Sequence, residues 1–600
     1  MIKIRDLTFE YFDRDEEGYL TDMINAIRGI NFDAQKGEFI AVAGKNGSGK
    51  STFAKILNRL LVPIEGTVVI GDMDAMDEEN TIDIRKTVGM VFQNPDDQII
   101  GSVVAEDVAF GAENIGVPEK ELWNRVFTSV EQAGLYVSAN KKRHGSSLRD
   151  VVDKRINELS GGEKQKVAIA GVLAMQPKCI VLDESTSMLD PKSRLEILKL
   201  MKELNEKQGI TIIMITHMME ELLWADTIYI MHQGKLAMKG RKEVVFADES
   251  KLVELGLELP EVVKIRNGLL DAGLIKNQYI YDIDGLVARL KKEHPNSFYI
   301  DTGLEEMENI KPKLDPVNAI LFNNLSFSYG RQQVLKDITF GIGKGEYVAI
   351  VGATGSGKST LLQHIPGLLR NKTEMVYVDG LDVMDKTTDI QKLRCKIGYV
   401  FQYPEQQLFA KNVYEDVVFG PRNVGVSEVE AEKRAYEAIQ MVGLSDEIYD
   451  TPLNKLSGGQ KRRVALAGVL AMQPEYLILD EPVAGLDPEG KENMLHIIEA
   501  LHKEAGITII MVSHDIESVA KYADRVIVLE HGQVKYNGSP ERVFYLKALQ
   551  DNAEDETWNI PVMMQLLVKL RKAGLPVDCR TVDMRQGIMN IKAAVVPYMR

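Results

Sequence analysis

The sequence predicts an α/β fold that is built twice along the chain. Residues Gly44 to Thr52 read GKNGSGKST and residues Gly352 to Thr360 read GATGSGKST, so each stretch matches the G-x-x-x-x-G-K-[ST] pattern. A short apolar run precedes each stretch and a helix-forming segment follows it, which is the strand, loop and helix order that a phosphate-binding loop requires. Two matches in the same context argue against an accidental glycine-rich turn.

The repeat extends beyond these loops at a nearly constant spacing. The two lysines of the loops lie 308 positions apart, whereas 297 positions separate Ser160 from Ser457 and His217 from His514. A constant offset across separated motifs indicates a duplication. The offset is 309 at Gln93 and 297 at Ser160, so the first copy has 12 extra residues between these two positions.

Each glycine-rich loop offers groups that can bind a triphosphate. Backbone N–H groups at a helix N-terminus favour anions, and glycine lets several of them turn towards one ligand. Lys50 and Lys358 are expected to reach the β- and γ-phosphates, and the hydroxyls of Ser51 and Ser359 are expected to ligate Mg²⁺. The predicted cofactor-binding residues of the loops are Asn46, Gly47, Ser48, Gly49, Lys50, Ser51, Thr52, Thr354, Gly355, Ser356, Gly357, Lys358, Ser359 and Thr360.

Composition restricts the class of protein. A chain of 600 residues is too long for one core, so several domains are expected. The net charge of −16 argues against a protein whose main task is to bind nucleic acid. Three scattered cysteines fit a reducing cytosol. No stretch approaches the ~18 apolar residues of a membrane span, and the N-terminus is expected to open as a strand instead of a signal peptide.

The opening strand of each copy carries an aromatic residue, Tyr11 or Tyr329. Such a ring can stack on adenine, or it can be buried in an edge strand, and the spacing leaves both alternatives open. Extra polar residues from Asp13 to Asp22 predict a longer hairpin in the first copy. The first copy also has a basic stretch near 138–154 with Lys141, Lys142 and Arg143, which is either a solvated loop or a contact for phospholipid headgroups or a partner.

Two glutamines, Gln93 and Gln402, end apolar strands and precede acidic turns that contain proline. At that place a glutamine can face Mg²⁺ or the attacking water, although a strand-end amide is the simpler interpretation. Both turns belong to the motifs MVFQNPDDQ and YVFQYPEQQ.

Pairs of carboxylates follow the apolar strands that come later in each copy. Asp183 and Glu184 form the first pair, and Asp480 and Glu481 form the second. The first carboxylate of each pair suits Mg²⁺ coordination, and the second is placed to polarise the hydrolytic water. Buried charges need partners, so a purely structural interpretation is weak.

A histidine ends a further apolar strand in each copy, at His217 and His514. A single histidine in such a place is more often a satisfied core residue, but two at the repeat offset favour contacts with the γ-phosphate.

A second predicted anion site lies where LSGGE or LSGGQ begins a helix. The loop and the signature helix of one copy cannot both fold onto the same phosphate. If the two copies face each other, the loop of one copy and the signature of the other can bind the same ligand. The residues concerned are Ser160, Gly161, Gly162, Ser457, Gly458 and Gly459.

With these motifs the chain resembles the ATP-binding cassette (ABC) ATPases over most of each half. The resemblance implies two tandem ABC-type P-loop nucleotide-binding domains, each with a RecA-like core, an antiparallel β subdomain, a helical subdomain and a small C-terminal extension. The expected boundaries are residues 1–247 for the first cassette, 248–316 for its extension and a linker, 317–547 for the second cassette and 548–600 for the second extension.

The same resemblance implies that the halves dock head to tail around two ATP molecules and hydrolyse them. It implies catalytic roles for Glu184, Glu481, His217, His514, Gln93 and Gln402. The implied metal-binding residues are Ser51, Gln93, Asp183, Ser359, Gln402 and Asp480. Departures from the family pattern occur at Lys45, Ala353, Met218 and Val483, and none of them removes a chemical group.

Within that superfamily, FQNPDDQ and FQYPEQQ with DESTSMLDP and DEPVAGLDP are similar to the two ATPases of energy-coupling-factor (ECF) importers, here fused. The similarity implies a peripheral protein at the cytoplasmic face of the membrane that drives uptake of a vitamin or a transition-metal ion. The implied partners are a transmembrane scaffold subunit and a separate substrate-binding membrane component.

A coupling helix of the scaffold would bring an arginine to Asp96, Asp97 and Glu405, although a charged surface loop is the plain alternative. The extensions repeat as well, since Leu259–Leu274 resembles Ile560–Leu575. Two rivals are considered. The soluble twin-cassette translation factors that act on the ribosome carry a basic helical linker that is missing here, and in fused ATPases of sugar importers one half tends to lose its catalytic groups.

Overall fold

The computed structural model describes residues 1–14, 20–136, 147–187, 189–276, 279–299, 319–369, 375–403, 406–550 and 559–595. Contacts within the chain divide it into two compact units. The first consists of Met1–Pro260 with Asp487–Glu489, and the second of Glu261–Leu486 with Gly490–Arg600. The predicted basic residues Lys141, Lys142 and Arg143 and the predicted docking residue Glu405 lie outside the described residues.

The first unit contains two sheets. Its strands are β1 Ile2–Arg14, β2 Leu20–Ala34, β3 Phe39–Ala43, β4 Glu65–Ile70, β5 Met73–Asp74, β6 Val88–Val91, β7 Cys179–Asp183, β8 Thr211–Thr216, β9 Thr227–His232 and β10 Lys235–Gly240. One sheet has the order β2-β1-β4-β5 and the other has the order β10-β9-β3-β8-β7-β6. The predicted longer hairpin is β1 and β2, which pair in antiparallel fashion from Ile2 to Arg14.

Helices surround the larger sheet of this unit. They are α1 Lys50–Leu57, α2 Thr81–Thr87, α3 Val104–Asn114, α4 Glu119–Gln132, α5 Leu148–Val152, α6 Gly161–Ala174, α7 Pro191–Gln208, α8 Lys242–Val245 and α9 Glu249–Glu254. Strand β3 is buried along its whole length and pairs in parallel with β8 and β9. Strands that are covered on both faces read as continuous apolar runs, as this one does.

Two apolar cores fix the first unit. The larger core joins the two sheets, with Phe32, Phe53 and Tyr229 among its most buried side chains. A second core lies between α3, α4 and α6 and forms the helical subdomain. The chain therefore has the predicted RecA-like core, antiparallel subdomain and helical subdomain in this unit.

The second unit repeats this plan. Its strands are β11 Ile320–Tyr329, β12 Gln332–Ile342, β13 Tyr347–Val351, β14 Val376–Val378, β15 Leu381–Asp382, β16 Ile397–Val400, β17 Tyr476–Asp480, β18 Thr508–Val512, β19 Arg525–Glu530 and β20 Gln533–Gly538. The sheets have the orders β12-β11-β14-β15 and β16-β17-β18-β13-β19-β20. The order of the matched strands is the same as in the first unit, which confirms the predicted fold class.

The helices of the second unit come from both extensions and from the second cassette. They are α10 Glu261–Asp271, α11 Ile283–Glu293, α12 Lys358–His364, α13 Ile390–Cys395, α14 Val413–Asn423, α15 Glu428–Met441, α16 Gly458–Leu470, α17 Pro488–Lys503, α18 Ile516–Tyr522, α19 Pro540–Gln550, α20 Val562–Lys572 and α21 Met584–Val595.

The two extensions pack on each other within this unit. Helix α10 contacts α20 and α21, and α11 contacts α20. Leu269, Leu290, Leu566 and Leu570 are fully buried there. None of the described helices is long and apolar enough to cross a membrane.

Candidate functional site

The phosphate-binding loops have the geometry that the motif predicts. Gly49 and Gly357 immediately precede α1 and α12 with φ of 98° and 102°, in the left-handed region that favours glycine. A Cβ atom at Gly49 would lie 2.4 Å from the carbonyl oxygen of Ala26, so a side chain cannot be placed there. Each helix begins directly after this glycine, and the first N–H groups of a helix have no partner within it.

The loop lysines lie at the centre of these loops. Lys50 Nζ donates to the carbonyl oxygens of Gly44 and Lys45 at 2.8 and 2.9 Å. Lys358 Nζ donates to the carbonyl oxygens of Gly352 and Ala353 at the same two distances. Both side chains are buried. Each ammonium group is thus held by two carbonyl groups of its own phosphate-binding loop.

Two buried hydroxyls lie in the same loops. Ser48 Oγ and Ser356 Oγ have no hydrogen-bond partner among the described residues, although both serines are buried. Buried polar atoms in folded proteins are normally hydrogen-bonded. Their presence fits loops that are built to surround a ligand with polar atoms.

The aromatic residues that precede the loops are accessible. Tyr11 and Tyr329 are 40% and 50% exposed, so burial in an edge strand does not describe them. The hydroxyl of Tyr11 lies 3.2 Å from Thr52 Oγ1, beside the phosphate-binding loop. In each cassette a phenylalanine packs edge-on against the tyrosine at 5.0 Å, namely Phe9 or Phe327. An exposed ring that is fixed beside the loop is suited to stack on a base.

The predicted metal-binding carboxylates lie beside the loops. Ser51 Oγ donates to Asp183 Oδ1 at 2.9 Å. Burial raises the pKa of Asp183 and of Asp480, and in each case the neighbouring glutamate raises it further. Asp480 Oδ1 has no hydrogen-bond partner among the described residues. Hydroxyl and carboxylate oxygens are the ligands that Mg²⁺ prefers, so these residues fit the predicted ion.

Glu184 is the meeting point of the predicted catalytic side chains in the first cassette. Lys50 Nζ lies 3.3 Å from Glu184 Oε1, His217 Nδ1 lies 3.2 Å from Oε2, and Gln93 Nε2 lies 3.5 Å from Oε2. Burial alone would raise the pKa of Glu184, but contact with His217 and Lys50 holds it far below the usual value. Glu184 is therefore a carboxylate at neutral pH.

Glu481 has the same place in the second cassette. His514 Nε2 lies 2.9 Å from Glu481 Oε1, and Gln402 Nε2 donates to Oε2 at 3.1 Å. Burial opposes ionisation here as well, but His514 and the charge of Lys358 lower the pKa of Glu481. Glutamine, glutamate and histidine from three separate segments thus converge in both cassettes.

The signature serines begin helices, as predicted. Ser160 and Ser457 precede α6 and α16, and each accepts a hydrogen bond from the backbone N–H three residues later. The glycines of the signatures, Gly161, Gly162, Gly458 and Gly459, lie in the first turns of those helices. Each signature is a second helix N-terminus of the kind that binds anions.

The residue that completes each cap differs between the signatures, and it was not among the predicted site residues. The side chain of Glu163 accepts a hydrogen bond from Ser160 N at 2.8 Å. In the second cassette the side chain of Gln460 accepts the matching bond from Ser457 N at 2.9 Å. Partial burial acts to raise the pKa of Glu163, but bonds from Ser160 and the ion pair with Lys154 at 3.1 Å lower it. An S-x-x-E pattern at a helix start is the signal that could have revealed this cap.

A pair of aspartates was not among the predicted site residues, although both belong to a pattern that occurs in each copy. Asp107 Oδ1 accepts from the backbone N–H groups of Ile100 and Gly101 at 2.8 and 3.1 Å. Asp416 does the same for Phe409 and Ala410 at 2.9 and 3.0 Å. These are the aspartates of V-x-x-D-V-x-F-G, and they fix the loop that follows each predicted glutamine.

The predicted docking residues lie on a short, exposed segment. Pro95–Asp97 forms a 3₁₀ turn in which Asp96 and Asp97 are exposed. Asp96 forms an ion pair with Lys164 of α6 at 2.6 Å. This acid already has a cationic partner in the chain, and that partner belongs to the helix that the signature begins.

The chain matches known proteins over nearly its whole length. The profile of the ABC transporter family matches residues 27–187 and 335–484, one match in each cassette. A relative from Methanosarcina mazei, provisionally named an ABC transporter ATP-binding protein, is 34% identical over 96% of this chain and 95% of its own. A relative from Bacillus subtilis, YkoD, is 31% identical over 91% of this chain and 92% of its own.

The name of the B. subtilis relative, also provisional, describes it as an HMP/thiamine import ATP-binding protein. Among solved structures, CbiO1 from Clostridium perfringens, which is part of the ABC transporter complex CbiONQ, is 34% identical over 44% of this chain and 96% of its own, with a TM-score of 0.35.

Proposed function

Because the chain belongs to the ABC transporter ATPases, we propose that it is the energising subunit of an ECF-type importer for a vitamin or a transition-metal ion. The observation that carries the ATPase part is the convergence of Glu184 with Lys50 and His217, and of Glu481 with His514 and Gln402. The name of the B. subtilis relative supports a vitamin as the imported compound. The proposed place of action is the cytoplasmic face of the membrane.

In the proposed reaction each glutamate orients the water that attacks the γ-phosphate. Its low pKa keeps it ionised, and the adjacent histidine and glutamine fix its orientation. The lysines and the loop N–H groups bind the phosphates. Mg²⁺, held by Ser51, Asp183 and Gln93 or by Ser359, Asp480 and Gln402, would neutralise phosphate charge.

The site roles and domain boundaries given above remain predictions. We also propose, on the family resemblance, that the signature of each cassette completes the ATP site of the other. Lys50 would then act with Ser457, and Lys358 would act with Ser160. Joining both cassettes in one chain makes their encounter intramolecular.

The docking proposal concerns Asp96, Asp97 and Glu405. A cationic side chain of a membrane partner would compete with Lys164 for Asp96, whose ion pair is exposed and therefore weak. Since Lys164 belongs to α6, loss of this pair would remove one link between the signature helix and the loop after Gln93. Copurification of membrane subunits with the chain, and its loss when Asp96 and Asp97 are both changed to Asn, tests this proposal.

The ATPase proposal is tested with the chain in which Glu184→Gln and Glu481→Gln are combined. The change keeps the shape of each side chain but removes the carboxylate, so turnover is expected to fall by about 100-fold or more while ATP still binds. Steady-state phosphate release and equilibrium binding of a fluorescent ATP analogue measure the two quantities. Undiminished ATPase activity in the double variant would remove both glutamates from the mechanism.

A further inference from the structure

The turn that carries each proposed catalytic glutamate has an unusual backbone. Glu184 and Glu481 have φ of 49° and 53°, a left-handed conformation that residues other than glycine rarely adopt. Such a conformation persists only when neighbouring groups hold it in place. Matching backbone hydrogen bonds hold it in both cassettes, since Glu184 N donates to Ile215 O and Glu481 N donates to Val512 O, each at 3.0 Å. The side-chain groups that hold it are different.

In the second cassette the turn is held by a proline and an arginine. Pro482 follows Glu481, and its ring restricts the backbone. Arg462 Nη1 donates to the carbonyl oxygens of Pro482 and Ala484 at 3.1 and 2.5 Å. The side chains of the turn, Val483 and Ala484, contribute no hydrogen-bonding groups.

In the first cassette polar side chains replace these restraints. Ser185 stands where the second cassette has Pro482, and Ser187 Oγ donates to the carbonyl oxygen of Glu184 at 2.8 Å. Thr186 stands at the place of Val483, and its hydroxyl donates to Glu221 Oε1 at 2.5 Å. Gln165, at the place of Arg462, donates to Phe92 O instead.

Glu221 connects this turn to the segment that follows His217. It lies in the 3₁₀ helix Met219–Trp224, and its N–H donates to Met218 O at 3.2 Å. The pair of Glu221 and Thr186 therefore joins the two segments that carry Glu184 and His217, whose side chains lie 3.2 Å apart.

The burial of Glu221 is costly. Its exposure is 1%, and its Oε2 atom has no hydrogen-bond partner in the part of the chain that the structure describes. A buried carboxyl group with an unsatisfied oxygen destabilises a fold. The second cassette has Ser518 and Val483 at the matching places and adopts the same topology. The fold alone therefore does not require a carboxyl group at this place.

We propose that Glu221, acting through the hydroxyl of Thr186, is a positioning residue for hydrolysis in the first cassette only. It holds the turn of Glu184 against the segment of His217, so that the carboxylate keeps its orientation towards the water. This inference rests on the proposed function, in which Glu184 orients the attacking water.

The experiment compares Thr186→Val, Thr186→Ser and Glu221→Gln in the full-length chain. Photolabelling with 8-azido-ATP in the presence of vanadate traps nucleotide after hydrolysis, and proteolytic fragments assign the label to a cassette. Thr186→Val and Glu221→Gln are expected to lower trapping in the first cassette about 10-fold, the loss of one hydrogen bond to a charged group. Labelling without vanadate, which reports binding, is expected to stay within about twofold.

Two control variants and a kinetic measurement distinguish a positioning role from a general structural role. Thr186→Ser retains the hydroxyl and is expected to restore trapping. Glu220→Gln removes an exposed carboxylate from the same 3₁₀ helix and is expected to leave trapping unchanged. When each is combined with Glu481→Gln, Thr186→Val and Glu221→Gln are expected to lower kcat with little change in KM for ATP. Thermal unfolding of each variant identifies any that fail to fold.

Normal trapping in the first cassette for folded Thr186→Val and Glu221→Gln would overturn this inference. An equal loss in both cassettes would also overturn it, since it would indicate a general structural role. If instead Glu184→Gln itself leaves trapping in the first cassette intact, the proposed function fails, so the two failures can be told apart.

Discussion

The segments that follow His217 and His514 show how far the two cassettes have diverged. In the second cassette Asp515 caps helix α18 and forms an ion pair with Lys491 at 2.7 Å. In the first cassette Met218 stands at the place of Asp515, and a 3₁₀ helix follows. The histidines also approach their glutamates with different ring nitrogens, Nδ1 for His217 and Nε2 for His514.

A duplicated site can therefore keep its reacting groups while the residues that orient them change. Glutamine, glutamate and histidine lie together in both cassettes, yet their neighbours come from different residue types. We therefore expect matched substitutions in the reacting groups to have similar effects, and matched substitutions in their surroundings to have different ones.

The largest expected effect is that of the loop lysines. Lys50→Ala and Lys358→Ala each remove an ammonium group that is held identically by two loop carbonyls. Each is expected to weaken ATP binding in its own cassette by about 10- to 100-fold, as for a lost charged hydrogen bond. Photolabelling assigned by cassette measures this. Strongly unequal losses would contradict the equivalence of the two loops.

A smaller and unequal effect is expected from the histidines. His514→Ala removes a 2.9 Å contact of Glu481, whereas His217→Ala removes a longer contact, of 3.2 Å, from Glu184. Turnover is expected to fall about 10-fold for His514→Ala and about threefold for His217→Ala. Initial rates at saturating MgATP measure both. A greater loss for His217→Ala would show that the length of the contact does not set the size of the effect.

The smallest expected effect is that of Glu163→Gln. This change gives the first signature the residue that the second cassette has at the same place, Gln460. The pKa of Glu163 is lowered in the folded protein, so its stabilising contribution is present above the ordinary pKa of glutamate and is lost as pH falls through the folded value. At pH 7 the variant is expected to be less stable by about 0.5 kcal/mol, since the pair with Lys154 is half exposed.

Thermal unfolding at pH 7, 5 and 4 measures this difference. The gap between the original chain and Glu163→Gln is expected to close as the pH falls. A gap that stays constant with pH would mean that the carboxylate charge does not contribute, and Lys154→Thr provides the matched change on the other side of the pair.

Much of the fold and the site could be predicted from the sequence, because the motifs have fixed spacing and fixed places at strand ends. Lys50 and His217 follow buried parallel strands and Asp183 ends one, and the carboxyl ends of such strands meet at one edge of the sheet. The division of each cassette into a RecA-like core and an antiparallel sheet follows from the resemblance to the ABC ATPases.

The remaining contacts could not be predicted because they depend on packing between segments that have no common motif. Thr186 and Glu221 are 35 positions apart, and nothing in the local pattern of either indicates the other. Asp107 was visible as part of a repeated motif, but its task of accepting two loop N–H groups depends on the path of the loop.

The packing of the extensions has a consequence for dissecting the protein. Helices α10 and α11 precede the second cassette in sequence, yet they belong with α20 and α21 in the second unit, where Lys569 pairs with Asp284 at 2.6 Å. A gene cut between residues 299 and 319 would separate these helices from the neighbours that cover their apolar sides. Two polypeptides made in that way would each expose an apolar surface. We therefore expect that both would have to be coexpressed to be obtained in folded form.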